Sequence, residues 1–149
     1  MRPNDMSPNR RAVLASGLGA AAATSLSVKR ASAQTSKREI SLVAGKSQAR
    51  LLGGNYGETA VWSCNGQVPG PEIRALQGER LRVTVENRLD HETTVHWHGI
   101  RIANAMDGVP HLTQDPIAPG RTFVYEFDLP DAGTYWYHPH HHSAEQVGL

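Results

Sequence analysis

The sequence has a single cysteine, Cys64, so no disulfide can close within the chain and no thiolate-rich zinc site can form. It also lacks a surplus of either charge. A formal net charge of +1 provides neither a broad basic surface for nucleic acid nor an acidic one for a basic partner. Several of the basic residues precede Ser41, and the remainder is slightly acidic with its histidines neutral. No run reaches the roughly 20 strongly apolar residues that a membrane-spanning helix wants. At 149 residues the chain has room for one domain of ordinary size with a real core. Histidine is what it has in excess, with eight residues. They are grouped: His91, His96 and His98 lie together, as do His138, His140, His141 and His142.

The N-terminal segment, residues 1–33, reads as an export address rather than as part of the fold. The pair Arg10-Arg11 precedes the Ala/Gly-rich, mildly apolar run AVLASGLGAAAATSLSV. Lys29-Arg30 and the small-residue site Ala31-Ser32-Ala33 follow it. Paired arginines ahead of a weakly apolar stretch resemble the bacterial twin-arginine (Tat) signal, which implies a periplasmic or secreted protein with no membrane contact after cleavage at Ala33. Residues 34–38 are expected to be a polar tether. The domain then occupies residues 39–149.

From Glu39 onward no helical period is sustained, whereas period-two alternation recurs. Leu81, Val83 and Val85 share one face of the segment Glu79–Asn87, and Phe123, Tyr125 and Phe127 share one face of Arg121–Phe127. Shorter strands are predicted at Glu39–Val43, Ala60–Cys64, Thr93–His98 and Gly133–Tyr137. Turn signals such as Gly53-Gly54, Asn65-Gly66, Asp107-Gly108 and Pro119-Gly120 separate them. Short strands with Gly/Pro turns at this spacing predict an all-β antiparallel sandwich or barrel.

Two His-x-His pairs stand out, His96-Trp97-His98 and His138-Pro139-His140. On a strand, residues i and i+2 point the same way, about 6.5–7 Å apart, so each pair presents both imidazoles to one side. If the two strands are neighbours, four rings aim at one small volume. Neutral imidazole suits copper, zinc, iron or nickel, and a metal is the simplest reason to collect such rings. Pro139 marks a strand edge or end.

The segments VWSCNGQVPGPEIRALQGERLRVTVENRL, HWHGI, DGVP, LTQDPIAPG and GTYWYHPHHHSAEQVG resemble the first, plastocyanin-like (cupredoxin) domain of laccase-like multicopper oxidases. The resemblance covers roughly Gly45 to Gly148. It implies a Greek-key β-sandwich and an enzyme coupling oxidation of phenols, aromatic amines or metal ions to reduction of O2 to water. It also implies that His96 binds a type 2 copper and that His98, His138 and His140 bind type 3 coppers. Asp107 matches an acidic residue of the family associated with proton delivery; its plain reading is a turn aspartate. The other ligands of the trinuclear cluster, and the type 1 copper with its His-Cys-His motif, belong to a C-terminal cupredoxin domain in the family. That motif is absent here. The family continues with another strand where this sequence stops, so the domain is expected to be incomplete and inactive alone. Missing C-terminal domains or a complementary subunit would be its partners.

The remaining residues take plainer readings. Cys64 is expected to be a small buried hydrophobe, and Met106 to have no part in metal binding. Trp97, Trp136 and Tyr137 are expected in the core or supporting it. His91 and His111 read as turn residues, and His141 and His142 as supporting donors or solvated loop residues. Two other functions compete: a stand-alone periplasmic copper-binding cupredoxin without catalysis, and a zinc enzyme of the carbonic anhydrase type, in which a His-x-His strand and a third histidine leave one position open for water.

Overall fold

The computed structural model describes residues 36–141 and residue 149. The chain divides into two units, Met1–Ala33 and Gln34–Leu149, and every described residue belongs to the second. The expected signal segment, the first part of the tether and His142 lie outside the described residues.

Six strands form in the order β1 (Lys37–Ala49), β2 (Thr59–Cys64), β3 (Arg80–Asn87), β4 (His96–His98), β5 (Thr122–Asp128) and β6 (Trp136–His138). A single 3-10 turn, Asn104–Met106, is the only helical element among the described residues. The strands make a four-stranded sheet ordered β2-β1-β3-β5 and a two-stranded sheet ordered β4-β6. No helix among the described residues is long and apolar enough to cross a membrane.

The all-β expectation holds, with one departure in pairing. β1 runs parallel to β3, whereas the β1/β2, β3/β5 and β4/β6 pairs are antiparallel. β1 is long enough to serve two partners. Its 13 residues exceed what either partner can cover, so Lys37–Ala44 pairs with β3 and Ala44–Ala49 with β2. The expected tether is shorter than composition indicated, because Lys37 and Arg38 already pair with Arg80 and Leu81.

β3 shows why its alternating sequence makes a strand. Leu81, Val83, Val85 and Asn87 are buried, and the residues between them are half-buried. On the other face, Arg80 and Arg82 both meet Glu126 across the β3/β5 pair, at 2.8 and 2.6 Å. The core lies between the sheets. Trp97 of β4 packs edge-on against Tyr125 and Phe127 of β5, with ring centroids 5.6 and 5.2 Å apart. Tyr137 of β6 closes in at 5.9 Å. Burial of an aromatic or aliphatic side chain of this size contributes about 2 kcal/mol. Trp97 and Tyr137 are therefore core residues as expected, and so is Cys64, which is buried and free.

The strand expected at Thr93–His98 contracts to His96–His98. Its first residues bond elsewhere: Thr93 exchanges backbone hydrogen bonds with Ile117, and the Val95 N–H is donated to the Tyr125 hydroxyl at 3.0 Å. Asn87 holds the approach to this segment. Fully buried, it donates through Nδ2 to the carbonyls of His91 and Ile117 and accepts the Leu89 N–H through Oδ1.

Candidate metal centre

β4 and β6 pair directly, with His96 opposite His138, Trp97 opposite Tyr137 and His98 opposite Trp136. Period-two alternation then sorts the side chains. Trp97 and Tyr137 turn into the core, and His96, His98, Trp136 and His138 share the other face. His140 follows just beyond β6, where its backbone N–H is donated to the Thr94 hydroxyl at 3.3 Å.

The rings converge. His96 lies 5.5 Å from His98, 5.4 Å from His138 and 5.4 Å from His140, centroid to centroid. His98 and His138 are 5.6 Å apart, and His138 and His140 6.0 Å. One ligand nitrogen from each of His96, His98 and His138 falls within 4.8 Å of the other two. His140 belongs to the ring cluster but stands outside that tighter set of three.

Hydrogen bonds select which nitrogen is free. Nδ1 of His96 donates to the Asp107 backbone carbonyl at 2.6 Å, which leaves Nε2 as the lone-pair atom. The Asp107 carboxylate stands 3.4 Å from the same Nδ1. Nδ1 of His138 donates to the Pro139 carbonyl at 2.8 Å, again leaving Nε2 free. That Nε2 meets Nδ1 of His98 at 3.3 Å, so the two rings present different nitrogens to the common point. Burial pushes the pKa of His138 below the ordinary histidine value. The bond to Pro139 opposes this, and the charges of His96, His98 and His140 add to the lowering. The set favours the neutral imidazole that a metal requires.

Asp107 reaches His96 because the turn that carries it packs on β4. Gly108 has φ of 78°, a region that disfavours any residue with a Cβ. A Cβ there would also be driven into the carbonyl of Val95. Met106, next to this turn, accepts the Glu126 N–H on its sulfur at 3.3 Å and takes no part in the histidine cluster.

One reading changes, and one open choice narrows. Trp136, expected in or under the core, is 54% exposed and lies on the histidine face. The signal was in the spacing, because Trp136 and His138 are i and i+2 on one strand. His141 is buried rather than solvated, with its Nε2 3.8 Å from Glu92 and its ring 6.1 Å from that of His111. A cavity of about 1090 Å³ adjoins β6, lined by Cys64, Ile73, Trp97 and Tyr137 on the core side and also by Trp136 and His138. Of the four histidines it reaches only His138.

A family model described as multicopper oxidase matches residues 44–149. The chain belongs to the multicopper oxidase family. Among curated relatives, the copper resistance protein A homolog of Pseudomonas syringae pv. tomato is 43% identical over 111 residues, which are 74% of this chain and 18% of that protein. The iron transport multicopper oxidase FET3 of Candida glabrata is 43% identical over 96 residues, 62% of this chain and 15% of that protein. The crystal structure of a multicopper oxidase from Pseudomonas thermotolerans superposes with a TM-score of 0.71 at 46% identity, covering 76% of this chain and 28% of that one. The chain thus spans less than a fifth of the length of these curated relatives. The two sheets form the cupredoxin-like β-sandwich of such multicopper oxidases, and copper is the metal the family binds. The donor set fits it: imidazole nitrogens only, brought within bonding reach of a shared point, with two tautomers fixed from outside.

Proposed function

We propose that His96, His98, His138 and His140 are copper ligands and that this domain supplies one side of a trinuclear copper cluster. His96 takes the type 2 position and the other three the type 3 positions. Copper, when bound, supplies the redox chemistry that joins one-electron oxidation of a donor to reduction of O2 to water. The chain's own residues do the rest. The Asp107 carbonyl and the Pro139 carbonyl orient the rings of His96 and His138, and the Asp107 carboxylate is placed to move a proton at the edge of the site. The remaining ligands and the electron-entry site come from C-terminal cupredoxin domains or a complementary subunit. Relatives named for copper resistance and for iron transport support metal ions as donors; phenols and aromatic amines belong to the same class of reaction. Residues 1–33 act as a twin-arginine signal that is cleaved after Ala33, residues 34–36 remain as a tether, and the product is periplasmic or secreted.

The observation that carries this reading is the convergence of two His-x-His pairs from adjacent strands with the His96 tautomer locked. The test is metal analysis of the purified chain after exposure to equal Cu(II) and Zn(II). Copper retention, lost in a His96→Ala/His138→Ala double variant, is the expected result. Strong zinc uptake without copper refutes it. A polypeptide limited to these residues is expected to bind copper without oxidising phenols.

A further inference from the structure

The face that carries His96, His98 and His138 has a fourth member that is not a ligand. Trp136 sits opposite His98 in the β4/β6 register and two residues before His138 on its own strand. Its ring is stacked on both neighbours: the centroid lies 4.0 Å from that of His138 at an interplanar angle of 18°, and 4.9 Å from that of His98 at 27°. The two imidazoles are 5.6 Å from each other. Rings on opposite faces of an indole would be held much farther apart, so both lie over one face, displaced in opposite directions. Indole is wide enough for two five-membered rings to share it in this way, and offset stacking is the geometry its charge distribution favours. At the junction of the two, Nδ1 of His98 and Nε2 of His138 come to 3.3 Å. His96 and His138 are each fixed by a backbone carbonyl. For His98, among the described residues, the ring contacts and the bond to His138 itself do that work.

We propose that Trp136 is a positioning residue for the copper centre: its indole face is a platform that lays the His98 and His138 imidazoles side by side, so that Nδ1 of His98 and Nε2 of His138 meet at one point. The proposal rests on the copper reading above, and it explains why a tryptophan that is more than half exposed faces solvent instead of the core. The ring contributes no bond to the metal. It removes rotational freedom that the exposed His98 would otherwise lose on coordination, which is how groups behind a ligand raise metal affinity.

The 149-residue chain is compared with its Trp136→Leu and Trp136→Phe variants. Cu(II) affinity is read by chelator competition and ligand geometry by EPR. NMR of the metal-free proteins reads the ring-current shifts of the His98 and His138 protons. Trp136→Leu is expected to bind copper about tenfold more weakly, with an altered EPR spectrum, while Trp136→Phe recovers most of the affinity because a flat ring remains. Both variants should melt close to the parent, since the side chain is largely exposed. Equal affinity in the Leu variant overturns the proposal, and so does an equal loss in the Phe and Leu variants. If the parent chain folds but takes up no copper, the copper reading fails. The ring-current shifts then decide the platform alone: their loss in Trp136→Leu supports it, and unchanged shifts overturn it.

Discussion

His96 is constrained from two directions. Its ring is tied through Nδ1 to the Asp107 carbonyl, and the peptide just before it is tied to Tyr125 through the Val95 N–H. The first constraint depends on Gly108, which lets the turn carrying Asp107 lie flat against β4. Gly108→Ala forces a Cβ against the Val95 carbonyl at a positive φ. We expect it to cost about 3 kcal/mol in chemical denaturation and to weaken copper binding along with stability, whereas Asp107→Asn, which keeps the backbone carbonyl, should leave stability nearly unchanged. His138 gives a pH dependence with a definite sign. Its pKa is lower in the folded chain than the ordinary 6.5, so the unfolded chain binds the proton first as pH falls. Its contribution therefore destabilises the fold progressively below about pH 6.5 and is absent above it. Melting temperature measured from pH 8 down to pH 5 should fall, and His138→Gln should flatten the part of that fall due to this ring. Cys64, its thiol pushed up to about 11 by burial, stays protonated throughout that range and is not a nucleophile there.

Among the elements, the segment joining β3 to β4 decides whether the histidine face forms. Asn87 terminates β3 and ties the loop beyond it, through His91 and Leu89, to Ile117 in the segment that leads into β5. Asn87→Ala leaves the carbonyls of His91 and Ile117 and the N–H of Leu89 without these partners. A loss of about 3 kcal/mol is expected in urea unfolding, with copper affinity falling as β4 loses its anchor. This element also shows where the sequence could be read and where it could not. β3 and β5 were legible because strict alternation and a buried apolar face are local properties. The facing of His96 and His98, with Trp97 turned inward, followed from the same periodicity. The parallel pairing of β1 was not legible, because it depends on which distant strands share a 13-residue edge. Nor was the contraction of the strand at Thr93–His98, since Thr93 and Val95 leave the ladder for partners at Ile117 and Tyr125. Trp136 is apolar and reads as core by its side chain alone, whereas its two-residue offset from His138 puts it on the histidine face. The tie from the Asp107 carbonyl to His96 involves a backbone atom, on which side-chain identity is silent.

At the scale of the molecule, the site is assembled from two short strands that belong to neither end of the large sheet. Because β4 and β6 are three residues each, their pairing leans on the packing of Trp97 and Tyr137 beneath them and on hydrogen bonds just outside the ladder, from Val95 to Tyr125 and from His140 to Thr94. A ligand that binds only the native arrangement adds stability by mass action. Copper should therefore raise the melting temperature of the parent chain and leave that of the His96→Ala/His138→Ala variant unmoved.

His98 and His138 are 40 positions apart in the chain, and everything that brings them together, from Asn87 to the Tyr125 anchor, has to be in place first. Contacts of such separation form late, after their loop-closure cost has been met by others. On the copper reading, the metal would act as a latch on a finished scaffold and not as a template for it. Stopped-flow refolding should proceed at the same rate with and without Cu(II), and the unfolding limb alone should slow when copper is present.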